Sequence, residues 1–320
     1  MRLENSRFVA ISLIFVITGA LSESVFAKAV TTATDVYETV DLLHRSLDII
    51  LERQHSTRLP DFEIRETGLG FSHVYQIQIC AVRKLQEYQL KRSISPIPLI
   101  VSRPMDYSPQ DVIKLSKLLL IEVRSLPEAS FIQLPSKVKK SSDKNPTDLF
   151  RVSAKVYMQL LSLNGEEEIT SNQVYAQIKS ACCDVESVLC QIDSANRFRF
   201  KTRLIDPSHG PADVVAASLA CRRAINGVRS KLQFGSIPIP VIGDNLHVTS
   251  ADAFIQTQLI IAELNLLKLE LGNPSSAPLP IAVDDKSPAH VYQQASKLEQ
   301  LIKQIIPLRE NYGAVAQRSL

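Results

Sequence analysis

The sequence predicts an all-α protein of eight long helices, built from a single-helix repeat of about 38 residues with extended Pro-rich linkers, arranged as one or more helical bundles. Three observations support this fold class. A helix-start pattern recurs along the chain, an apolar stripe with helical spacing follows each start, and most prolines lie between the stripes.

The clearest helix start is the stretch 108–113. Ser108 is a favourable N-cap, because its hydroxyl can accept a hydrogen bond from an unpaired backbone N–H. Pro109 suits the first helical position, and Asp111 can bond back to the cap as the second half of a capping box. The same pattern predicts further helix caps at Asn145, Asp148, Asp213, Asp252 and Ser287.

The repeat becomes visible when the copies are aligned on the first apolar residue after the capping position. The anchors are Val36, Val74, Val112, Leu149, Val174, Val214, Ala253 and Val291. By subtraction of residue numbers, successive anchors are 38, 38, 37, 25, 40, 39 and 38 residues apart. A nearly constant period of this length is typical of a repeat architecture.

Each anchor opens an apolar stripe that continues on one face of a helix. In the first copy the stripe is Val36, Val40, Leu43, Leu47 and Ile50. The same spacing predicts that Leu119 and Leu264 are buried. Lys117 and Glu263 lie off the stripe, so we expect both at the surface.

The chain begins with a predicted signal peptide, residues 1–27. Arg2 and Arg7 precede the nearly continuous apolar run Phe8–Leu21, and small residues precede a cleavage site after Ala27. An uncleaved anchor is the alternative, although the run is short for a membrane span. The sequence thus predicts an exported protein, periplasmic or extracellular, with no stable membrane span after processing.

The remaining chain divides where the repeat spacing falls to 25 residues. This predicts a first four-helix set at 28–165 and a second at 166–320, as two bundles or one continuous array. Only a tight turn around Gly165 fits between copies four and five, so we expect their helices to be antiparallel neighbours. The other linkers are longer and contain apolar residues, which predicts that they cover the helices.

The five cysteines suggest one disulfide hypothesis. Cys182 and Cys183 fall in the middle of the fifth helix and Cys221 in the middle of the sixth. Antiparallel packing would bring these positions level, and an exported chain can form a bridge between the pair and Cys221. Buried free thiols are the alternative, because cysteine packs as a small apolar residue.

No catalytic, cofactor-binding or metal-binding motif is present, so the sequence predicts no enzyme and no cofactor. A net charge of +3 without a concentrated basic face argues against nucleic acid as a partner. The leading hypothesis is a non-enzymatic module that binds a protein or peptide. The alternative is a small-molecule-binding or sensory bundle, and an enzyme without a short motif ranks third. An exposed apolar surface would favour the first, a cavity with convergent polar groups the second.

Overall fold

The protein is described by a computed structural model, which covers residues 31–56, 59, 64–138, 142–193, 204–239 and 247–307. The predicted signal peptide lies outside these residues. Within them the chain forms eight α-helices and a single 3₁₀ turn at Pro127–Ala129, with no strand. The all-α prediction is confirmed. The helices are α1 Ala33–Gln54, α2 Phe71–Lys91, α3 Pro109–Arg124, α4 Pro146–Leu163, α5 Ser171–Ile192, α6 Pro211–Lys231, α7 Ser250–Glu270 and α8 Pro288–Lys303.

Every helix begins immediately after the residue that the repeat alignment places at its N-cap. For α3, the Ser108 hydroxyl accepts a hydrogen bond from the Asp111 N–H at 3.3 Å, and the Asp111 carboxylate accepts from the Ser108 N–H at 3.0 Å. The hydrogen bond from the Ser108 side chain lowers the pKa of Asp111, because it stabilises the charged carboxylate. The caps therefore fix where the repeat starts each helix.

The predicted stripes form the core. In α3, for example, Ser116, Leu119 and Val123 are all fully buried. The polar member of the α2 stripe, Gln78, donates hydrogen bonds to the hydroxyls of Ser116 and Ser153 at 2.9 and 3.3 Å. These three residues occupy the same stripe position in α2, α3 and α4. The small serines therefore make room for the glutamine amide and satisfy its donors.

The helices pack as two rings of four with the same order. In the first ring, α1 and α2 each pack against both α3 and α4. In the second ring, α5 and α6 each pack against both α7 and α8. The rings are joined through α2 and α7. Within each ring, the first and second helices are diagonal partners, and so are the third and fourth.

The expectation that α4 and α5 are antiparallel neighbours is wrong, because these helices do not pack side by side. The tight turn instead carries the chain from one ring to the other. Gly165 adopts a positive φ of 76°, which favours glycine, and turns the chain after α4. The Asn164 amide donates to the Lys84 carbonyl at 3.0 Å, and Lys84 pairs with Glu166 at 2.9 Å. These contacts hold the turn against α2.

The expectation that Glu263 is exposed is also wrong, since its side chain is fully buried. The stripe of α7 is buried as predicted, with Leu264 only 2% exposed. However, α7 packs against α2 as well as against α5 and α6, so its second face is also covered. Burial on both faces puts polar residues of α7 in the interior. Lys117 on α3 is exposed, as expected.

The linkers after α2 and α6 are attached to the helix that precedes each of them. The Gln89 side chain accepts from the Ile97 N–H at 2.7 Å, and the Gln86 amide donates to the Ile97 carbonyl at 3.0 Å. The Asn226 side chain makes both corresponding bonds to Ile237, at 3.0 and 2.6 Å. Ile97 and Ile237 each follow their repeat anchor by 23 residues, by subtraction, so the repeat extends into the linkers.

Candidate functional site in the cleft between the rings

A cleft of about 340 Å³ lies where the two rings meet. This inter-ring cleft is walled by α2, α4, α5, α7 and two linkers, so both rings contribute to it. Its size falls within the range of pockets that hold small molecules or single peptide side chains. The lining residues are Cys80, Arg83, Lys84, Gln86, Glu87, Leu99, Tyr157, Asn172, Gln173, Ala176, Gln177, Phe254, Leu279, Pro280, Ala282 and Val283.

One wall of the inter-ring cleft is aromatic. The aromatic rings of Tyr157 on α4 and Phe254 on α7 stack, with their centroids 4.8 Å apart and their planes within 5° of parallel. Both residues are almost fully buried, and burial raises the pKa of the Tyr157 hydroxyl well above its ordinary value. The stack joins the two rings of helices, and because both side chains are almost fully buried, little of their surface is open to the cleft.

Two polar residues that line the cleft have unused hydrogen-bonding capacity. The Nε atom of Arg83 on α2 and the Oε1 atom of Gln177 on α5 are buried and make no hydrogen bond to a described residue. No described carboxylate forms an ion pair with Arg83. Buried polar atoms normally have partners, so this unpaired donor and acceptor are candidate contacts for a ligand or an ordered water.

The other cation of the cleft, Lys84, is already neutralised. Its Nζ lies 2.6 Å from Glu87 and 2.9 Å from Glu166. Burial by itself would lower the pKa of Lys84, but the hydrogen bonds and charges of the two carboxylates outweigh it and raise the pKa. Lys84 therefore stays protonated at neutral pH and does not act as a nucleophile.

Cys80 also lacks the properties of a reactive group. Its thiol donates to the Gln258 side-chain oxygen at 3.0 Å, and burial raises its pKa to about 11. The nucleophilic form of cysteine is the thiolate, and this environment disfavours it at neutral pH. The cleft thus has recognition groups but no activated nucleophile at these two positions.

The rim of the cleft is an extended segment, residues 279–283, which follows α7. Its ends are held on α5: the Ser180 hydroxyl donates to the Pro278 carbonyl at 2.6 Å, and the Asn172 side chain accepts from the Lys286 N–H at 2.8 Å. Between these points no backbone group of the segment is hydrogen bonded to another described residue. Leu279 and Ile281 are 40% and 74% exposed. The rim therefore presents free backbone groups and apolar side chains.

A second, much smaller cavity of about 10 Å³ lies beside the cleft and shares Arg83 and Gln177 with it. It also receives the unpaired side-chain oxygen of Gln76. This volume is about that of one water-sized probe. Arg83 and Gln177 therefore border both the cleft and this smaller cavity.

Charged residues are buried where α2, α6 and α7 meet. Arg222 on α6 is fully buried and lies 2.7 Å from the Glu263 carboxylate. Its Nη1 atom donates to Gln256 at 3.0 Å, and Nη2, the nitrogen that lies 2.7 Å from Glu263, also donates to the Pro238 carbonyl at 3.3 Å. The imidazole of His73 lies 3.7 Å from the same carboxylate. Arg222 is paired with Glu263, whereas His73 Nε2 and Glu263 Oε2 are buried and make no hydrogen bond to a described residue. None of these residues lines a described cavity, so the cluster joins the elements together.

A second buried ion pair connects α7 to α5. The Lys268 ammonium lies 2.6 Å from the Asp184 carboxylate, and both side chains are nearly fully buried. Desolvation raises the pKa of Asp184, although the charge and hydrogen bond of Lys268 oppose this shift. The pair explains how α7 accommodates a lysine inside the second ring.

The cysteines of the disulfide hypothesis lie as predicted on α5 and α6, but all three are free thiols in the structure. Cys182 and Cys221 are buried and donate to the carbonyls of Gln294 and Ala295, neighbours on α8. Both thiols thus contact the same part of a third helix. Cys183 is exposed. A disulfide between the Cys182/Cys183 pair and Cys221 stays a prediction.

The predicted cap residues are all at helix starts and away from the inter-ring cleft. Each completes a local cap: Asn145 accepts from the N–H groups of Thr147 and Asp148, Asp148 accepts from the Asn145 N–H, Asp213 from that of Gly210, Asp252 from that of Thr249, and the Ser287 N–H donates to His290. Their role is to stabilise helix termini.

Sequence reasoning did not identify Arg83, Gln177 or the rim segment as a site. They come from three separate elements and share no motif. Two signals were available: Arg83 lies off the α2 stripe, and the linker after α7 is unusually apolar.

Among the described residues no cluster of His, Cys, Asp or Glu could hold a metal ion, and no described helix has the length and hydropathy of a membrane span. No protein-family model matches this sequence, and neither a curated protein nor a solved structure matches it significantly.

Proposed function

We propose that this protein is a non-enzymatic binding module that holds an extended peptide segment of a partner protein in the inter-ring cleft. The observation that carries the proposal is the rim segment 279–283, whose free backbone groups line a cleft with an apolar wall. An extended peptide can pair with such a segment through its main chain, while its side chains enter the adjacent cleft.

The chemistry of the cleft supports binding without catalysis. The thiol of Cys80 is held protonated, and the ammonium of Lys84 is paired with two carboxylates. Leu279, which lines the cleft and is 40% exposed, offers an apolar surface for a side chain. Exposed Ile281 extends that surface beyond the lining of the cleft.

The main-chain contact can be tested by removing one N–H group from the rim. Ala282→Pro deletes that donor, whereas Ala282→Ser retains it. We expect Ala282→Pro to weaken retention of a random pool of hexapeptides about fivefold or more, since a lost hydrogen bond is worth about 1 kcal/mol. Ala282→Ser should bind about as well as the unchanged chain. Mass spectrometry of peptides retained by immobilised protein measures the effect. Equal retention by all three proteins would contradict the proposal.

A small-molecule-binding bundle is the second candidate function. The volume of the cleft, about 340 Å³, and the unpaired atoms of Arg83 and Gln177 favour it. Such a ligand does not need the rim backbone. A small ligand that binds the unchanged chain and Ala282→Pro equally well, in the absence of peptide retention, would select this function.

We also propose that the protein is exported after removal of residues 1–27. The basic start, the apolar run and the small residues before Lys28 motivate this proposal. Mass spectrometry of the protein recovered outside the cytoplasm should find an N-terminus near Lys28. An intact Met1 in that fraction would contradict cleavage.

A further inference from the structure

We infer that Arg83 binds the C-terminal carboxylate of the peptide, and that the last residue of the peptide is apolar. This inference rests on the proposed function and specifies its ligand. Arg83 and Gln177 receive the end of the main chain, and the partly exposed apolar side chains of Leu279 and Val283 receive the last side chain.

The first argument is the pairing of the two cations of the cleft. Lys84 has two carboxylate partners, but Arg83 has none among the described residues. The Arg83 side chain is half-buried and its Nε atom is fully buried. An unpaired guanidinium at the edge of an apolar cleft favours one anionic partner, and a planar carboxylate can accept two of its parallel N–H bonds.

The second argument is the hydrogen-bond acceptor beside it. Gln177 Oε1 is buried and unpaired, and it lines the same cleft as Arg83. The last residue of a peptide has a backbone N–H two bonds from its carboxylate carbon. A single C-terminal residue therefore supplies both the acceptor that Arg83 lacks and the donor that Gln177 lacks.

The third argument is the apolar surface in the same cleft. A C-terminal residue that points its carboxylate at Arg83 can place its side chain within the cleft, where the partly exposed side chains of Leu279 and Val283 lie. A charged side chain would lose hydration there without gaining a partner, whereas an apolar side chain gains burial.

The test compares two random hexapeptide pools, one with free C-terminal carboxylates and one with carboxamides, on the same immobilised protein. We expect retained free acids to exceed retained amides by about tenfold, with apolar last residues enriched. Arg83→Gln should remove the preference for acids. Lys179→Gln, which deletes an exposed cation from α5, should leave that preference unchanged.

A second variant tests the hydrogen-bond acceptor of Gln177 separately from the charge of Arg83. Gln177→Leu keeps a similar volume and removes the acceptor, so it should weaken acids and amides equally, by about fivefold. Circular dichroism of each variant checks that the helices are intact. If Arg83→Gln does not fold, Arg83→Lys should keep a preference for acids, because it keeps the charge.

The outcomes distinguish this inference from the function on which it rests. Equal retention of acids and amides by the unchanged chain would overturn the carboxylate assignment and leave peptide binding in place. Enrichment of amides with an internal Asp or Glu would overturn the C-terminal assignment in favour of an acidic side chain. Retention of neither pool would overturn the proposed function itself.

Discussion

Replacing Glu263 with leucine should destabilise the fold by about 3–5 kcal/mol. The carboxylate is fully buried and lies 2.7 Å from the guanidinium of Arg222, which is also fully buried. Its removal leaves a charged side chain inside the protein, with only Gln256 and a backbone carbonyl as acceptors. An uncompensated buried charge is costly because the interior cannot replace its hydration.

The double variant Arg222→Met, Glu263→Leu is the control for this prediction. It removes both charges and keeps apolar volume, so it should recover most of the lost stability. Urea unfolding followed by circular dichroism gives the free energy of unfolding for each variant. A loss below about 1 kcal/mol for Glu263→Leu would show that the ion pair does not hold α6 to α7.

The second large effect concerns the predicted core stripe. Leu119→Ala should lower the free energy of unfolding by about 2–5 kcal/mol, because both burial and packing volume are lost. Leu119 is completely buried where α3 meets α1 and α2. The matched control is Lys117→Ala on the exposed face of the same helix, which should change stability by only about 0.5 kcal/mol. Similar losses for both variants in urea melts would contradict the stripe assignment.

Helix starts and stripes were predictable because both depend on short-range rules. A cap such as Ser108 with Asp111 satisfies backbone donors within one turn, so its signal is local. The position of Leu119 on its stripe follows from helical periodicity alone. Neither property requires knowledge of which helices become neighbours.

The two-sided burial of α7 was not predictable in this way. Glu263, Gln256 and Lys268 lie off the stripe of α7 and are nevertheless buried. The sequence of α7 gives no indication that other helices cover this second face. Their partners, Arg222 and Asp184, are 41 and 84 residues away in the sequence, by subtraction. Long-range pairing of this kind depends on the packing order of the rings, which periodicity does not determine.

The candidate site was hidden for the same reason. Arg83 and Gln177 become notable only because their buried atoms lack partners beside one cleft. In the sequence, Arg83 is an ordinary polar residue on a helix, and Gln177 is another. Their unsatisfied hydrogen bonds are a property of the folded chain, and no local pattern encodes them.

The diagonal placement of consecutive helices also affects how the chain folds. An up-and-down bundle can grow by adding one helical hairpin at a time. Here each ring has only one pair of consecutive helices that pack together, α2 with α3 in the first ring and α6 with α7 in the second. All other packing within a ring awaits the closure of a loop that contains at least one intervening helix. Loop closure costs entropy before packing repays it, so we expect the search for native neighbours, rather than helix formation, to limit the folding rate. The stiff prolines of the linkers reduce that search by restricting the unfolded chain.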